Sequence, residues 1–113
     1  MSQKALTAAS IRPIMLSILA EGQSYGYAIM QRIHDLSDGD FQLSDGTLYP
    51  VLHRLELEGL IESHSATSKN GRRRKYYKLT IAGKQSLVTE REKWMKVHSM
   101  LVKLWDPVLA PAT

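Results

Sequence analysis

SDGTLYPVLHRLELEGLI, residues 44–61, leads by way of a short polar stretch into GRRRKYYKL, residues 71–79. Leu48, Leu52 and Leu55 stand at i, i+4 and i+7, so a helix would gather them on one face and leave Thr47, Pro50, His53, Arg54 and Leu57 on others. One face can pack while another reads a ligand. Beyond Gly59 the pattern becomes strand-like over Leu60 to Ser65, turns polar over Ala66 to Gly71, and is strand-like again over Arg74 to Leu79. The run Arg72-Arg73-Arg74-Lys75, with Lys69 just before it, puts cations at the tip of that hairpin. A helix followed by a basic hairpin is the arrangement with which a winged helix-turn-helix grips DNA.

At 113 residues the chain suits one domain with one modest core. Its net charge of +4 favours an anionic partner, and the clustering of cations at 72–75 says more than the sum. With no cysteine there is no disulfide framework, thiolate zinc site or cysteine nucleophile. His34, His53, His64 and His98 are scattered, and there is no H-E-x-x-H, G-x-S-x-G or phosphate loop. No enzyme, metal or cofactor is expected. The apolar run Ile14 to Ala20 is too short for a membrane span and lacks a signal-peptide cleavage pattern, so the expected location is cytoplasmic.

The residues before Ser10 form an arm whose order depends on contacts. Ser10 is read as the cap of a first helix, with Pro13 in its first turn and Ile11, Ile14, Met15, Ile18 and Leu19 on a broad apolar face ending before Gly22. Ser24 is read as the cap of a second helix through Leu36, with Tyr25, Ile29, Ile33 and Leu36 on its stripe, closed by the Ser37–Asp40 cluster. For the third helix, a cap at Ser44 places Pro50 inside, so the helix either starts near Thr47 or bends. A last helix runs from Thr80 to Trp105 and is stopped by Asp106-Pro107, with frayed residues beyond. Leu87, Trp94 and Leu101 repeat every seven residues along it, Val97 and Leu104 fill the alternate seam position, and Glu90 interrupts. A stripe that long exceeds what so small a body can cover, and a second protomer is its natural cover. The expected fold class is therefore mainly α with a small β-hairpin (α+β): a winged helix-turn-helix over residues 1–80 and a dimerisation helix and tail over 81–113, compact as one domain.

Each group also has an ordinary structural reading. The hydroxyls of Ser44, Thr47 and Tyr49 suit phosphates, and Gln42, His53 and Arg54 suit base edges, although any amphipathic helix leaves such groups in solvent. Lys69, Arg72, Arg73 and Arg74 gain nothing from a core and suit phosphates, although charge runs are also found as solvated loops. Tyr76 and Tyr77 point to opposite sides of a strand, one to the core and one free to touch a phosphate. Tyr25 and Tyr27 read as core aromatics with hydroxyls at the rim. Trp94 offers a flat apolar surface to a planar ligand, with His98 and the nearby methionines as neighbours, or else simply packs a dimer seam.

Three segments together carry a resemblance: GTLYPVLHRLELEGLI (46–61), GRRRKYYKLTIAGKQSL (71–87) and YGYAIMQRI (25–33). They closely resemble the PadR family of transcriptional regulators, across nearly the whole chain. The resemblance implies a winged-helix dimer that represses from a palindromic operator on double-stranded DNA and is released by a small molecule. It implies DNA-facing roles for Thr47, Tyr49, Arg72, Arg73 and Arg74, and dimer contacts from Leu87 onward. It is to the short branch without a larger C-terminal domain, and it implies stacking of planar aromatic effectors on Trp94. The competing reading is a winged-helix protein-interaction or ligand-sensing module without specific DNA binding, for which a basic wing has no use.

Overall fold

The computed structural model describes residues 3–109, so the expected fraying at 110–113 and the first two residues of the expected arm lie outside the described residues. In chain order the elements are α1 (Gln3–Ala20), β1 (Ser24–Tyr25), α2 (Gly26–Leu36), α3 (Asp45–Leu57), β2 (Ile61–Thr67), β3 (Arg73–Leu79) and α4 (Ile81–Leu109). The strands form an antiparallel sheet in the order β1-β3-β2. One core joins Met15, Leu16 and Leu19 of α1, Ile29 and Ile33 of α2, Leu48, Leu52 and Leu55 of α3, and Ile61 and Tyr77 of the sheet. The three leucines of the quoted helix are completely buried, as their spacing predicts. Each contributes about 1.5–3 kcal/mol by leaving water.

Several boundaries differ from the sequence expectation, each for a local reason. Lys4 to Ala9 contains three alanines and no breaker, so α1 continues upstream and Ser10 lies inside it rather than capping it. Its hydroxyl donates to the Leu6 carbonyl oxygen at 2.7 Å, and Pro13 sits in mid-helix rather than the first turn. Ser24 belongs to a strand missed by the hairpin reading, pairing with Tyr77 while Tyr25 pairs with Tyr76, and α2 begins only at Gly26. Tyr25 is half-buried beneath Arg74 and Tyr27 is exposed, so neither is the core aromatic expected. Leu36, assigned to the buried stripe of α2, is also exposed.

The third helix starts directly after Ser44 and includes Pro50, because the Thr47 and Leu48 amides both donate to the Ser44 carbonyl and the buried leucines hold the remainder. Both wing strands exceed their expected lengths. Arg73 pairs with Thr67 and Arg74 with Ala66, leaving a short turn in which the Ser68 amide donates to the Arg72 carbonyl at 2.7 Å and Gly71 takes φ 83°. Asp106-Pro107 does not stop α4, which runs on to Leu109. So near a helix end, the missing proline N–H leaves only one carbonyl without its partner.

The last helix leaves the body along a fixed direction. Thr80 donates its hydroxyl to the Gly59 carbonyl at 2.7 Å and accepts the Gly83 amide at 3.0 Å, while its own amide donates to the Leu60 carbonyl at 3.1 Å. At Gly83 a Cβ would overlap the Leu60 carbonyl oxygen and come within 2.8 Å of Leu79 Cδ1, so only glycine lets α4 approach this closely. Past Glu90 most residues of the helix are exposed in the single chain, and the radius of gyration is 16.6 Å. A compact chain of this length would have about 13 Å.

Gly83→Ala should destabilise the protein by about 1–3 kcal/mol or more, because the obstacle is backbone and cannot swing aside. Gly46→Ala, where a Cβ would meet only Ser44 Oγ at 3.7 Å, should be neutral or slightly stabilising. Denaturant titration of both proteins checks the contrast, and equal stabilities would remove the proposed close contact.

Candidate nucleic-acid interface

The buried leucines fix the rotation of α3, and that rotation decides which residues face outward. With Leu48 and Leu55 inward, Gly46, Pro50, His53 and Leu57 look away from the core, Tyr49 and Glu56 face the wing, and Thr47 and Arg54 face α1. His53, Arg54 and Thr47 are exposed, as expected of groups that read a ligand. Tyr49 and Arg54 nevertheless stand about 140° apart around the axis, so they serve opposite flanks of the helix. Arg54 lines a groove with Ala8, Ile11, Arg12, Pro50 and Val51, while Arg12 itself is paired with Glu58 at 2.6 Å. Leu57, three-quarters exposed, adds an apolar contact of the kind a thymine methyl can meet.

At the start of α3 the Ser44 hydroxyl makes no capping bond to the helix backbone and lies 3.4 Å from the Thr47 hydroxyl. Both can turn to an incoming phosphate. Gln42, expected at a base edge, instead reaches back so that its amide nitrogen lies 3.4 Å from the Gly39 carbonyl.

Beside the helix, Tyr25, Gly26, Tyr27, Tyr49, Arg72, Arg73, Arg74, Lys75 and Tyr77 line an open cleft of about 510 Å³. Because β1 is only two residues long, the β3 edge from Arg73 to Lys75 has no partner strand on this side among the described residues. The sequence puts the run at the hairpin tip with Arg74 opening the second strand; the structure places both Arg73 and Arg74 in β3, where the pleat sends them to opposite faces. Arg74 is stacked over the Tyr25 ring, 4.2 Å from its centroid, and Tyr25 meets Tyr76 edge-on at 5.6 Å. A guanidinium held this way loses less freedom on meeting a phosphate.

Lys75 is committed differently. Its ammonium is 4.0 Å from Glu56 and 5.5 Å from the Tyr77 ring, and Glu56 also accepts a short hydrogen bond from Ser63. Glu56 therefore ties α3 to both wing strands. Burial pushes the Tyr77 phenol above its ordinary pKa, with the nearby Glu56 and Tyr49 adding to the effect, so Tyr77 is the core member of its pair. Tyr76 faces the outer side of the sheet, where it stacks on His64 at 5.8 Å and lines a hollow at the wing tip with Lys69, Asn70 and Arg74. Gly26, Tyr25 and Tyr27 had no assigned role at this surface. A short strand ahead of a glycine is a faint sequence signal, and only the pairing with β3 brings it here.

A second opening, of about 550 Å³, lies among α1, α2 and α4. Pro13, Ile14, Ile18, Leu36, Leu87, Trp94 and Met95 wall it, and Arg32, Glu21 and Arg91 stand at its rim. Arg32 forks onto Glu21 at 3.1 and 2.7 Å and holds that carboxyl below its usual pKa. His98, expected beside Trp94 at an effector site, is not among the lining residues. Among the described residues no group of three or more His, Asp or Glu could hold a metal ion, and no helix is long and apolar enough to cross a membrane.

A wing edged with cations beside an exposed helix defines a winged-helix regulator, and comparison with known proteins gives the same class. The family model described as the transcriptional regulator PadR-like family matches residues 15–89. A transcriptional regulator of Mycobacterium tuberculosis is 37% identical over 83 residues, 74% of each chain. A transcriptional regulator structure from Clostridium thermocellum superposes with a TM-score of 0.79 at 31% identity, covering 91% of this chain and 96% of that one. A PadR family transcription regulator structure from Clostridium difficile gives 0.75 at 33% identity, over 84% and 97%. This chain belongs to the PadR-like family of transcriptional regulators, and it is a regulator rather than an enzyme.

Proposed function

We propose that the protein is a sequence-specific DNA-binding repressor that acts as a homodimer on a palindromic operator and is released by a small aromatic effector. The observation that carries this reading is the cleft between Tyr49 of α3 and the free β3 edge, where Arg72 to Lys75 and the tyrosines of β1, α2 and α3 converge on space a phosphate can enter. In this reading residues 1–80 grip DNA and residues 81–113 join the protomers. Ser44, Thr47, Tyr49, Lys69, Arg72, Arg73, Arg74 and Tyr76 take phosphates, and Gln42, His53 and Arg54 take base edges, Gln42 after releasing Gly39. An interaction module without DNA binding would leave this concentration of cations unexplained.

Dimerisation is supported by α4. Leu104, Val97, Leu101, Trp94, Leu87, Val102, Met95 and Val88 spread over an arc of about 200° around the axis, far wider than a single neighbouring helix covers. The body covers the part near Leu87, whereas Val97 and Leu104 are 45% and 66% exposed. Exposed apolar area of this extent marks a protein interface. Two protomers so joined would present their recognition helices to half-sites about 34–36 Å apart.

For release, the groove beside Trp94 has a volume within the usual ligand range of about 300–1,000 Å³ and an apolar lining. A ligand seated between α1 and α4 acts by favouring one orientation of the protomers over another. Coupling of this kind is commonly about 1–3 kcal/mol, or 5- to 150-fold in operator affinity.

Three measurements follow. Replacing Arg72, Arg73 and Arg74 with Ala should flatten the dependence of log affinity on log salt by about 0.9 per arginine and half-site. Lys78→Ala is the control, since its ammonium is 3.2 Å from Glu62. A slope unchanged by the triple substitution would remove the wing from the phosphates. Val97→Glu with Leu104→Glu should give a folded monomer by sedimentation and lose roughly 10²–10⁴-fold in operator affinity; a persistent dimer would place the interface elsewhere. Trp94→Ala should still bind operator DNA, but planar aromatic compounds should no longer release it. Undiminished release would leave Trp94 a packing residue.

A further inference from the structure

We propose that Gly26 is a positioning residue for Tyr49: the absent side chain at the first turn of α2 is the seat that holds the recognition-helix phenol in the cleft beside the wing arginines. The proposal rests on the reading of Tyr49 as a phosphate contact. Its evidence is a close approach between two elements far apart in sequence. A Cβ built on Gly26 would overlap the Tyr49 Oη outright and come within 2.9 Å of Cζ and 3.3 Å of Cε1. The obstacle is the far end of one side chain, so an added methyl group would displace the phenol rather than the backbone.

The backbone conformation does not call for glycine at this position. The glycines with positive φ are Gly22, Gly39, Gly59 and Gly71, so Gly26 has a backbone conformation open to other residues. Within a helix, alanine is the better former, since glycine gives up more backbone freedom on folding. Gly26 is buried, and the three atoms nearest to where its Cβ would stand all belong to Tyr49. What the chain gains from glycine here is the room taken by that phenol.

Tyr49 needs such a seat. The residue is 45% exposed, and its ring stands on the wing flank of α3, away from the leucines that anchor the helix. A ring in that position has other rotamers open to it, and some would carry the hydroxyl out of the cleft. Resting on the surface of Gly26, the phenol is placed in the same opening as Arg72 and Arg73 before DNA arrives. Ordering it in advance removes an entropy cost from binding. Gly26 touches no DNA in this scheme; its effect passes through Tyr49.

The test is a double-substitution cycle on the full chain, with Gly26→Ala, Tyr49→Ala and the two together. Binding is measured against an operator duplex recovered by selection from random DNA, and melting temperature is read alongside. Tyr49→Ala should weaken binding about tenfold or more, the usual scale for a hydrogen bond to a charged group. Gly26→Ala should lose a similar factor, and the double variant should be no worse than the weaker single one. The salt slope should stay as in the parent, because a neutral hydroxyl releases no counterions.

Parent-like binding by Gly26→Ala, with Tyr49→Ala weakened, overturns the positioning role and leaves the phosphate-contact reading standing. Parent-like binding by Tyr49→Ala overturns both. Losses that multiply in the double variant, or a slope reduced by Gly26→Ala, would show that Gly26 acts by another route and overturn the proposal. If Gly26→Ala does not fold, the double variant, with the ring removed, should fold; an unfolded double variant overturns it as well.

Discussion

The close approach of α4 to the root of the wing is the constraint on which the functional geometry depends. Thr80 bridges Gly59 and Gly83 through one hydroxyl, and Gly83 lies against the Leu60 carbonyl with no room for a side chain. Gly59 and Leu60 are also where α3 ends: their amides donate to Glu56 and Leu55, and Gly59 takes φ 76° to turn the chain into β2. The end of the recognition helix, the start of the wing and the start of the long helix are therefore one small hydrogen-bonded corner. The placement of α4 relative to α3 and the wing is set by this one group of contacts.

Local periodicity carried the sequence reading as far as local forces decide the structure. Leu48, Leu52 and Leu55 announce a buried face whatever surrounds them, and the hairpin follows from the change of period after Gly59. Proline and serine misled the reading of ends because their rules describe isolated helices. Ser10 has a backbone carbonyl to bond inside α1, and Pro107 falls where little helix remains to be broken. β1 was illegible for a different reason: two residues carry no period, and only the edge of β3 makes them a strand. At the candidate site, residue types were legible and directions were not. Arg74 resting on Tyr25, Gln42 reaching for Gly39 and Tyr49 seated on Gly26 all depend on contacts that no single element's pattern encodes.

Those contacts sort the cations into two groups that composition cannot distinguish. Arg12, Arg32, Lys75 and Lys78 each face a carboxylate, from Glu58, Glu21, Glu56 and Glu62 respectively. Such surface pairs contribute about 0–1 kcal/mol each, so their value lies less in stability than in neutralising charge that would otherwise compete for the anion. Arg72, just before β3, and Arg73, its first residue, are exposed, and Arg74 is held by an aromatic face rather than an acid. A cation on an aromatic ring keeps its full charge for a phosphate, whereas one paired with a carboxylate must first give up that partner. A modest net charge of +4 is thereby concentrated where an anion can use it.

The apolar surface of α4 divides in a similar way. A helix needed only to close the core could end near Leu87, since the residues from Arg91 to Met100 are all exposed in the single chain. Its continuation to Leu109 leaves Val97, Leu104 and Val108 exposed on one side and Met95 exposed on the other. Trp94 stands where the covered part of the helix gives way to the uncovered part, lining the groove against α1. Trp94 lies about one turn beyond Glu90 and about three turns from the Gly83 corner. The hydrogen bonds of Thr80 and the tight seat of Gly83 are the contacts through which the start of α4 is joined to the end of α3.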